Sequence, residues 1–387
     1  MAFSTPDGAN GVPATQKAAQ FNPKDQSVSI TEIPVPSIKP YEILVKIKAA
    51  SLCHSDLMLF EENEQGLKLG GGEPFTMGHE GCGTIIEVGS EVGDDFKQGD
   101  RIGWLPIVDC CYDCEECRIH NLYCERGTSK VQGMTVDGYF QEYAAIHWVS
   151  LGDGLLLSEP IADLVRFVLQ RNAAHIPDGM DLANLAPLFC AGCTAFNSVT
   201  DTIAELKGAP EENWVAVIGC GGLGHLGIQY LKASGYKVIG IDLSADALEE
   251  AVAQGADHVF NPVNCADYIE QVRKITGGKG CHAAINYTNS VPAYSNTAGL
   301  LRMSGLLMVT GIPQKPLQFS AMDVSMNRVR VRGSNNGTTP RLKKCLEFSH
   351  KHGIEPHVTQ FKLEEFPNMV ELMQSNRHKG RLGVLFD

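Results

Sequence analysis

The sequence predicts an α/β protein in which a β-rich part precedes a doubly wound part. Three observations carry that prediction. From Trp214 to Asp242, an apolar strand, a glycine-rich turn, a helix and a second strand ending in Asp follow in order. Upstream of Val149 that rhythm is absent, and short β-branched runs broken by Pro and Gly take its place. At 387 residues the chain has room for two or three domains, each with its own core.

Hydrophobic residues make up 43% and charged residues 20% of the chain, as in ordinary globular proteins. The net charge is −13 and no Lys/Arg run occurs, which argues against nucleic acid or an anionic membrane as partner. No apolar run approaches the roughly 20 residues that a spanning helix needs. The opening MAFSTPDGANGVPATQK has neither an apolar core nor a secretory cleavage pattern, so a mobile tail is expected there rather than a targeting signal. Thirteen cysteines, an odd count in tight clusters, favour metal ligation in a reducing compartment over disulfides. The expected location is the cytoplasm.

Val28–Ile30 and Ile43–Ile47 read as strands separated by the proline-rich link Ile33-Pro34-Val35-Pro36. Ser51-Leu52-Cys53-His54-Ser55-Asp56 follows. A lone cysteine is more often a small buried hydrophobe than a ligand. His79 lies between glycines in Gly78-His79-Glu80-Gly81-Cys82-Gly83, ahead of a strand from Thr84 to Gly89. The spacing GHExxGxxxxxGxxV, from Gly78 through Gly83 and Gly89 to Val92, resembles the zinc signature of the medium-chain, zinc-dependent alcohol dehydrogenases, in particular the yeast-type tetrameric members. The likeness runs along almost the whole chain.

That resemblance implies a partly open β-barrel catalytic domain of GroES-like fold over residues 1–191, a Rossmann domain over 192–335, and a return to the catalytic domain over 336–387, with the site in the cleft. It implies a catalytic zinc on Cys53, His79 and Cys190. Two thiolates and an imidazole with one open position are the established ligand set of these enzymes. Such a zinc acts as a Lewis acid on an alcohol or carbonyl oxygen, and NAD carries the hydride. Ser55 matches the hydroxyl that relays the proton. Asp56 matches a carboxylate that orients a ligand. Glu80 matches a neighbour of the metal, and His54 a contact to the cofactor pyrophosphate, although an exposed loop histidine reads the same way. Where many relatives relay the proton through a histidine, this chain has Met58, which predicts a shorter or rerouted relay and a more apolar pocket. Trp104 reads equally as a pocket wall and as a core residue.

Cys111, Cys114, Cys117 and Cys124 give CxxCxxC and a fourth thiol, the pattern of a closed tetrahedral structural zinc site. The interval Arg118 to Tyr123 is one residue shorter than is usual in the family, and Cys110 adjoins Cys111, so either of that pair could ligate. Gly138 to Ala144 returns to strand. The segment from Val149 to Gln170 has no counterpart in the family pattern, and its removal restores the usual length, AAIHWRN. Two readings stand. One is a translated, unspliced intron: Val-Ser can be encoded by the splice donor GTGAGT, Gln by the acceptor CAG, and Ala162-Asp163-Leu164 can contain the branch-point-like CTGAC. The other is a genuine inserted helix over Ile161 to Leu169. Transcript sequencing separates them.

Cys190 follows in Ala186–Thr194, where Thr194 sits at a position that touches the nicotinamide in relatives and Cys193 reads as a small buried side chain. Trp214–Ile218 is a continuous apolar run, as a buried parallel strand should be. Gly219-Cys220-Gly221-Gly222-Leu223-Gly224 then gives GxGxxG ahead of a helix from His225 to Ser234. Gly219, Gly221 and Gly224 permit the tight turn and the approach of a pyrophosphate to the helix N-terminus, with Gly222 and Leu223 in the same turn. Asp242 ends the next strand about 20 residues on, where it can accept from both ribose hydroxyls and repel a 2′-phosphate. NAD is therefore favoured over NADP, an ordinary helix cap being the plainer role for Asp242. His258–Phe260, Ala283–Asn286, Leu306–Thr310, Val329–Arg332 and Gly383–Phe386 read as further strands. In relatives the strand at Val329 pairs edge to edge between subunits, which implies a homotetramer or homodimer.

The function so implied is reversible oxidation of a primary or secondary alcohol to an aldehyde or ketone with NAD, on a small-molecule substrate. Alternatives are a carbonyl reductase of a fungal secondary-metabolite pathway and a zinc-free binding or structural relative.

Overall fold

The computed structural model describes residues 11–60, 72–111, 114–147, 172–336, 339–375 and 377–387. The 149–170 segment lies outside the described residues. The chain divides into two units. The first takes Met1–Cys190, Gly337–Glu347 and Val358–Asp387, and the second takes Ala191–Asn336 and Phe348–His357.

The first unit is organised on the strand Glu42–Leu52. Nearly every residue of that strand is buried, because it has partners along both edges. On one side it pairs antiparallel with Glu80–Val88. On the other it pairs with Tyr143–His147 over its first half and with Arg381–Leu385 over its second. The sheet extends through Arg101–Trp104 to Ala173–His175 at one end and to Val358–Phe361 at the other. A three-stranded sheet of Ser27–Pro34, Thr15–Asn22 and Phe75–Thr76 completes the unit. Ile43, Val45, Ile47, Ile85, Trp104 and Phe140 are fully buried in one core cluster. Trp104 is thus a core residue, packed edge-on to Tyr139 at 5.2 Å.

Several strand boundaries differ from the sequence expectation, among them two in the first unit. The strand expected from Thr84 starts at Glu80, because Gly81, Cys82 and Gly83 pair with Ala50, Ala49 and Ile47. The strand expected over Gly138 to Ala144 starts only at Tyr143. Upstream of it the chain turns across the unit, and Tyr139 and Phe140 donate backbone N–H groups to Met77.

In the second unit six parallel strands run in the order His258–Phe260, Lys237–Ile241, Trp214–Ile218, Cys281–Asn286, Leu301–Val309 and Val329–Gly333. Numbered along the chain this is 3-2-1-4-5-6, the doubly wound order, whose reversal lies between the first and fourth strands. Val215, Ala216, Val217, Val238, Ile239, Ala283, Ala284 and Ile285 are fully buried. A fifteen-residue helix, Ala191–Glu205, also belongs here.

Phe348–His357 joins this second unit, whereas the sequence reading assigned all of 336–387 to the catalytic domain. The reason is local packing. The Phe348 ring lies 5.6 Å from Phe196 and 6.1 Å from Tyr230, and the Tyr230 and Ser349 hydroxyls are 2.9 Å apart. His357 donates its backbone N–H to His225 and contacts Glu250 at 2.9 Å.

Candidate active site and metal centres

The loop after Glu42–Leu52 coils into a short turn, His54–Leu59. Cys53 thereby stands beside His79, which enters from the segment leading into Glu80–Val88. Gly78, at φ +90°, makes that entry possible, since a Cβ there would lie 2.4 Å from the Phe140 ring. Cys190 arrives at the end of the turn Ala186–Phe189. The ligand atoms of Cys53, His79, Glu80 and Cys190 all lie within 4.8 Å of one another, and all four residues are buried.

Asp56 organises this group. One carboxylate oxygen lies 2.7 Å from His79 Nδ1 and the other accepts the Cys53 backbone N–H at 2.8 Å. Nδ1 therefore carries the proton, which leaves Nε2 for a metal. Burial works to lower the His79 imidazole, but the charge and hydrogen bond of Asp56 outweigh it, and the ring is held well above its usual range. The Cys53 thiol is held well below its usual range. The hydrogen bond with Cys190 is the main cause, against burial, with the Arg381 guanidinium adding its charge. The same bond, with burial, pushes the Cys190 thiol up. Ser55 Oγ is 3.7 Å from Cys53 Sγ, while His54 and Met58 are exposed.

Glu80 accepts from Ser51 at 2.5 Å and forms a buried ion pair with Arg381. A second guanidinium nitrogen of Arg381 lies 3.9 Å from Cys53 Sγ. Burial, foremost, raises the Glu80 carboxyl to about 7, with Arg381 opposing and Cys53 adding to the rise. Sequence reasoning missed Arg381. It lies in the strand that returns to this unit, 301 residues from Glu80, and no local pattern marks it.

The second cluster consists of Cys111, Cys114, Cys117 and Cys124, again with ligand atoms within 4.8 Å. Backbone N–H groups of Cys111, Cys114 and Cys117 point at the sulfurs of Cys124, Cys111 and Cys114 at 3.3, 3.4 and 3.4 Å. Such outer hydrogen bonds offset thiolate charge around a metal. The four sulfurs suit a tetrahedral zinc. Cys110 is buried beside them but is not one of the four.

In the second unit Gly219, at φ +86°, turns the chain out of Trp214–Ile218. Gly222 and Leu223 lead into the helix Gly224–Ala233. A Cβ on Gly224 would strike the Gly219 carbonyl at 1.9 Å, whereas one on Gly221 would meet nothing within 4 Å. The open space at Gly221 leaves room for a pyrophosphate. Asp242 accepts from Cys220 N–H at 2.7 Å and from Ser244 N–H at 2.8 Å. It is not the helix cap; that is Ser244, which accepts from Ala247. Thr194 is buried and donates to Asn336 at 2.9 Å.

Comparison with known proteins agrees with this arrangement. Residues 39–152 match the alcohol dehydrogenase GroES-like domain, and residues 222–351 match the zinc-binding dehydrogenase family. An alcohol dehydrogenase of Geobacillus stearothermophilus is 31% identical over 368 residues, covering 95% of this chain and 98% of the relative. One from Rhizobium meliloti is 31% identical over 369 residues, with the same coverage. The crystal structure of the alcohol dehydrogenase from Aeropyrum pernix superposes with a TM-score of 0.77 at 27% identity, covering 96% of this chain and all of that one. The chain belongs to the zinc-dependent, medium-chain alcohol dehydrogenase family. It is an oxidoreductase acting on small molecules, with zinc and NAD as its cofactors.

Proposed function

We propose that this protein interconverts a primary or secondary alcohol and its aldehyde or ketone at a zinc held by Cys53, His79 and Cys190. NAD would be held by the Gly219–Gly224 turn and Asp242. The observation that carries the reading is Asp56, one buried carboxylate that orients two members of the ligand set. Bound zinc would supply a Lewis acid for the substrate oxygen, and NAD the hydride acceptor.

The residues then have separate tasks. Asp56 keeps the His79 ring turned with Nε2 toward the metal. Ser55, beside Cys53 and half-buried, takes the proton from the substrate oxygen. With Met58 following, that proton leaves through water rather than through an imidazole. Arg381 balances Glu80 and the Cys53 thiolate in a buried place where unpaired charge is costly. Asp242 accepts from the adenosine ribose hydroxyls and disfavours a 2′-phosphate. Cys111, Cys114, Cys117 and Cys124 would hold a second zinc, which would tie their loop together.

A homotetramer or homodimer is the proposed assembly. Val329–Gly333 ends the six-stranded sheet, and Met303, Ile312, Met322, Met326 and Val331 around it are exposed, a surface that pairing would cover. The proposed location is the cytoplasm, in keeping with thirteen cysteines and no disulfide among the described ones. No described helix is long and apolar enough to cross a membrane.

The test is a panel of alcohols and aldehydes assayed with NAD and with NADP, on zinc-loaded protein with and without residues 149–170. NADH formation with at least one alcohol, and tenfold or more lower kcat/KM with NADP, is expected. No NADH formation with any alcohol on the panel, at stoichiometric zinc and with NADH bound, would refute the reading.

A further inference from the structure

The second unit holds a cationic cavity at the end of its sheet opposite the glycine-rich turn. Its volume is about 370 Å3, and Lys207, His282, Arg302, Arg330, Ser304 and Glu205 line it. Glu205 is already engaged, since its two oxygens accept from Arg330 and Arg332, each at 2.8 Å. Arg330 also donates from Nε to the Ser304 carbonyl at 3.1 Å. Against one paired carboxylate the lining sets three cations, on a chain whose net charge is −13.

His282 shows that a partner is missing. The Trp214 backbone N–H donates to its Nδ1 at 3.1 Å. Burial, then the charges of Arg302 and Lys279, push the imidazole down to about 4, so at neutral pH it carries a single ring proton. With Nδ1 accepting, that proton is on Nε2. The nitrogen that Nε2–H meets is a terminal nitrogen of Arg302, which has only donors. Two donors therefore face each other at the cavity wall, and Lys207 adds a third. An oxyanion in the cavity beside them would offer these donors the acceptor they lack, and an Arg fork suits a phosphate oxygen pair.

We propose that the cavity at His282, Arg302 and Lys207 is a binding site for a phosphate dianion, free or carried by a phosphomonoester. The site is separate from the cofactor turn. His282 is the second residue of its strand and Trp214 the first of its own, whereas Gly219 follows the last residue of the Trp214–Ile218 strand.

The experiment is calorimetric titration of the zinc-loaded enzyme with inorganic phosphate and, separately, with glycerol 3-phosphate. Ionic strength is constant and NADH saturating, so that the cofactor phosphates' own site is filled. One saturable site per chain is expected in the unaltered protein. Arg302→Gln should weaken it about tenfold or more, the usual scale for a lost charged hydrogen bond. Lys207→Gln, at an exposed position and without effect on the thermal midpoint in the absence of phosphate, should weaken it several-fold. Tighter binding of the ester would assign the site to phosphorylated metabolites, and tighter binding of inorganic phosphate to the free ion. No saturable heat with either ligand, or equal affinity in the unaltered protein and Lys207→Gln, overturns the proposal.

Discussion

Asp56→Asn tests the metal centre most directly. The carboxylate is fully buried and makes two contacts, 2.7 Å to His79 Nδ1 and 2.8 Å to the Cys53 backbone N–H. Both partners are donors, so both oxygens must accept. An asparagine has one oxygen and one NH2 group. Whichever way it is turned, one donor faces another, and the variant loses a charge-assisted hydrogen bond of about 1.5–3 kcal/mol. At 1.36 kcal/mol per tenfold, this corresponds to roughly 10- to 150-fold weaker zinc at Cys53, His79 and Cys190, in line with the effect of losing the partner of a metal-bound histidine. Competition against a chromophoric chelator, with zinc counted by native mass spectrometry, reads this out. The unaltered chain should carry two zinc ions, and the variant should release one readily while the four-cysteine site keeps the other. Turnover should fall with the released metal and recover in part at raised zinc. Zinc affinity within twofold of the unaltered protein would refute the argument that Asp56 orients the ligands.

Gly221→Ala should leave the thermal midpoint without cofactor unchanged, because the new methyl meets nothing within 4 Å, yet raise the Kd for NADH about tenfold or more by occupying the pyrophosphate cradle. Gly224→Ala, whose Cβ would sit 1.9 Å from the Gly219 carbonyl, should lower the midpoint itself, on the usual overpacking scale of about 1–3 kcal/mol. Cys117→Ser should release the four-cysteine zinc and make residues 111–124 protease-sensitive, with limited proteolysis and mass spectrometry as the readout. Asp257 accepts from Val238 N–H at 2.7 Å and from Lys232 at 2.8 Å. Burial raises its carboxyl, but these donors outweigh burial and hold it below its usual value of 3.8. Its ionised form therefore favours the folded state above the unfolded-chain pKa, and that contribution fades as pH falls through the lower folded value. Asp257→Asn should cost about 1 kcal/mol in neutral denaturant titrations, and that cost should shrink as pH falls through the lowered folded value.

The parts of the molecule that were legible in advance are those whose chemistry is written at short range. The Gly219–Gly224 turn, the strand before it and the helix after it follow one another along the chain. Cys111, Cys114 and Cys117 stand three apart. What sequence could not show depends on residues that folding brings together. Arg381 is an arginine in a short strand until pairing with Ala49–Leu52 sets it against Glu80 and Cys53. The choice between Cys110 and Cys111 could not be made from spacing, because adjacent residues differ in direction rather than in reach; Cys111 is the one that joins the four-sulfur cluster. All of the first nine residues of the helix Ala191–Glu205 are buried, and a stretch of helix buried all round gives little periodicity to read.

The sequence alone therefore determined the family, the two-part architecture and the two sets of candidate metal ligands. Each rests on residue type and local spacing, and the chemistry of thiolates, imidazole and glycine turns constrains both tightly. The tertiary structure decided how those residues are held. It gave Asp56 two donors to satisfy and Glu80 a buried cation. It returned Phe348–His357 to the nucleotide-binding unit and gathered Lys207, His282 and Arg302 around a common space. These are relations between side chains far apart in sequence, settled by packing and by the cost of leaving buried charges and donors unpaired.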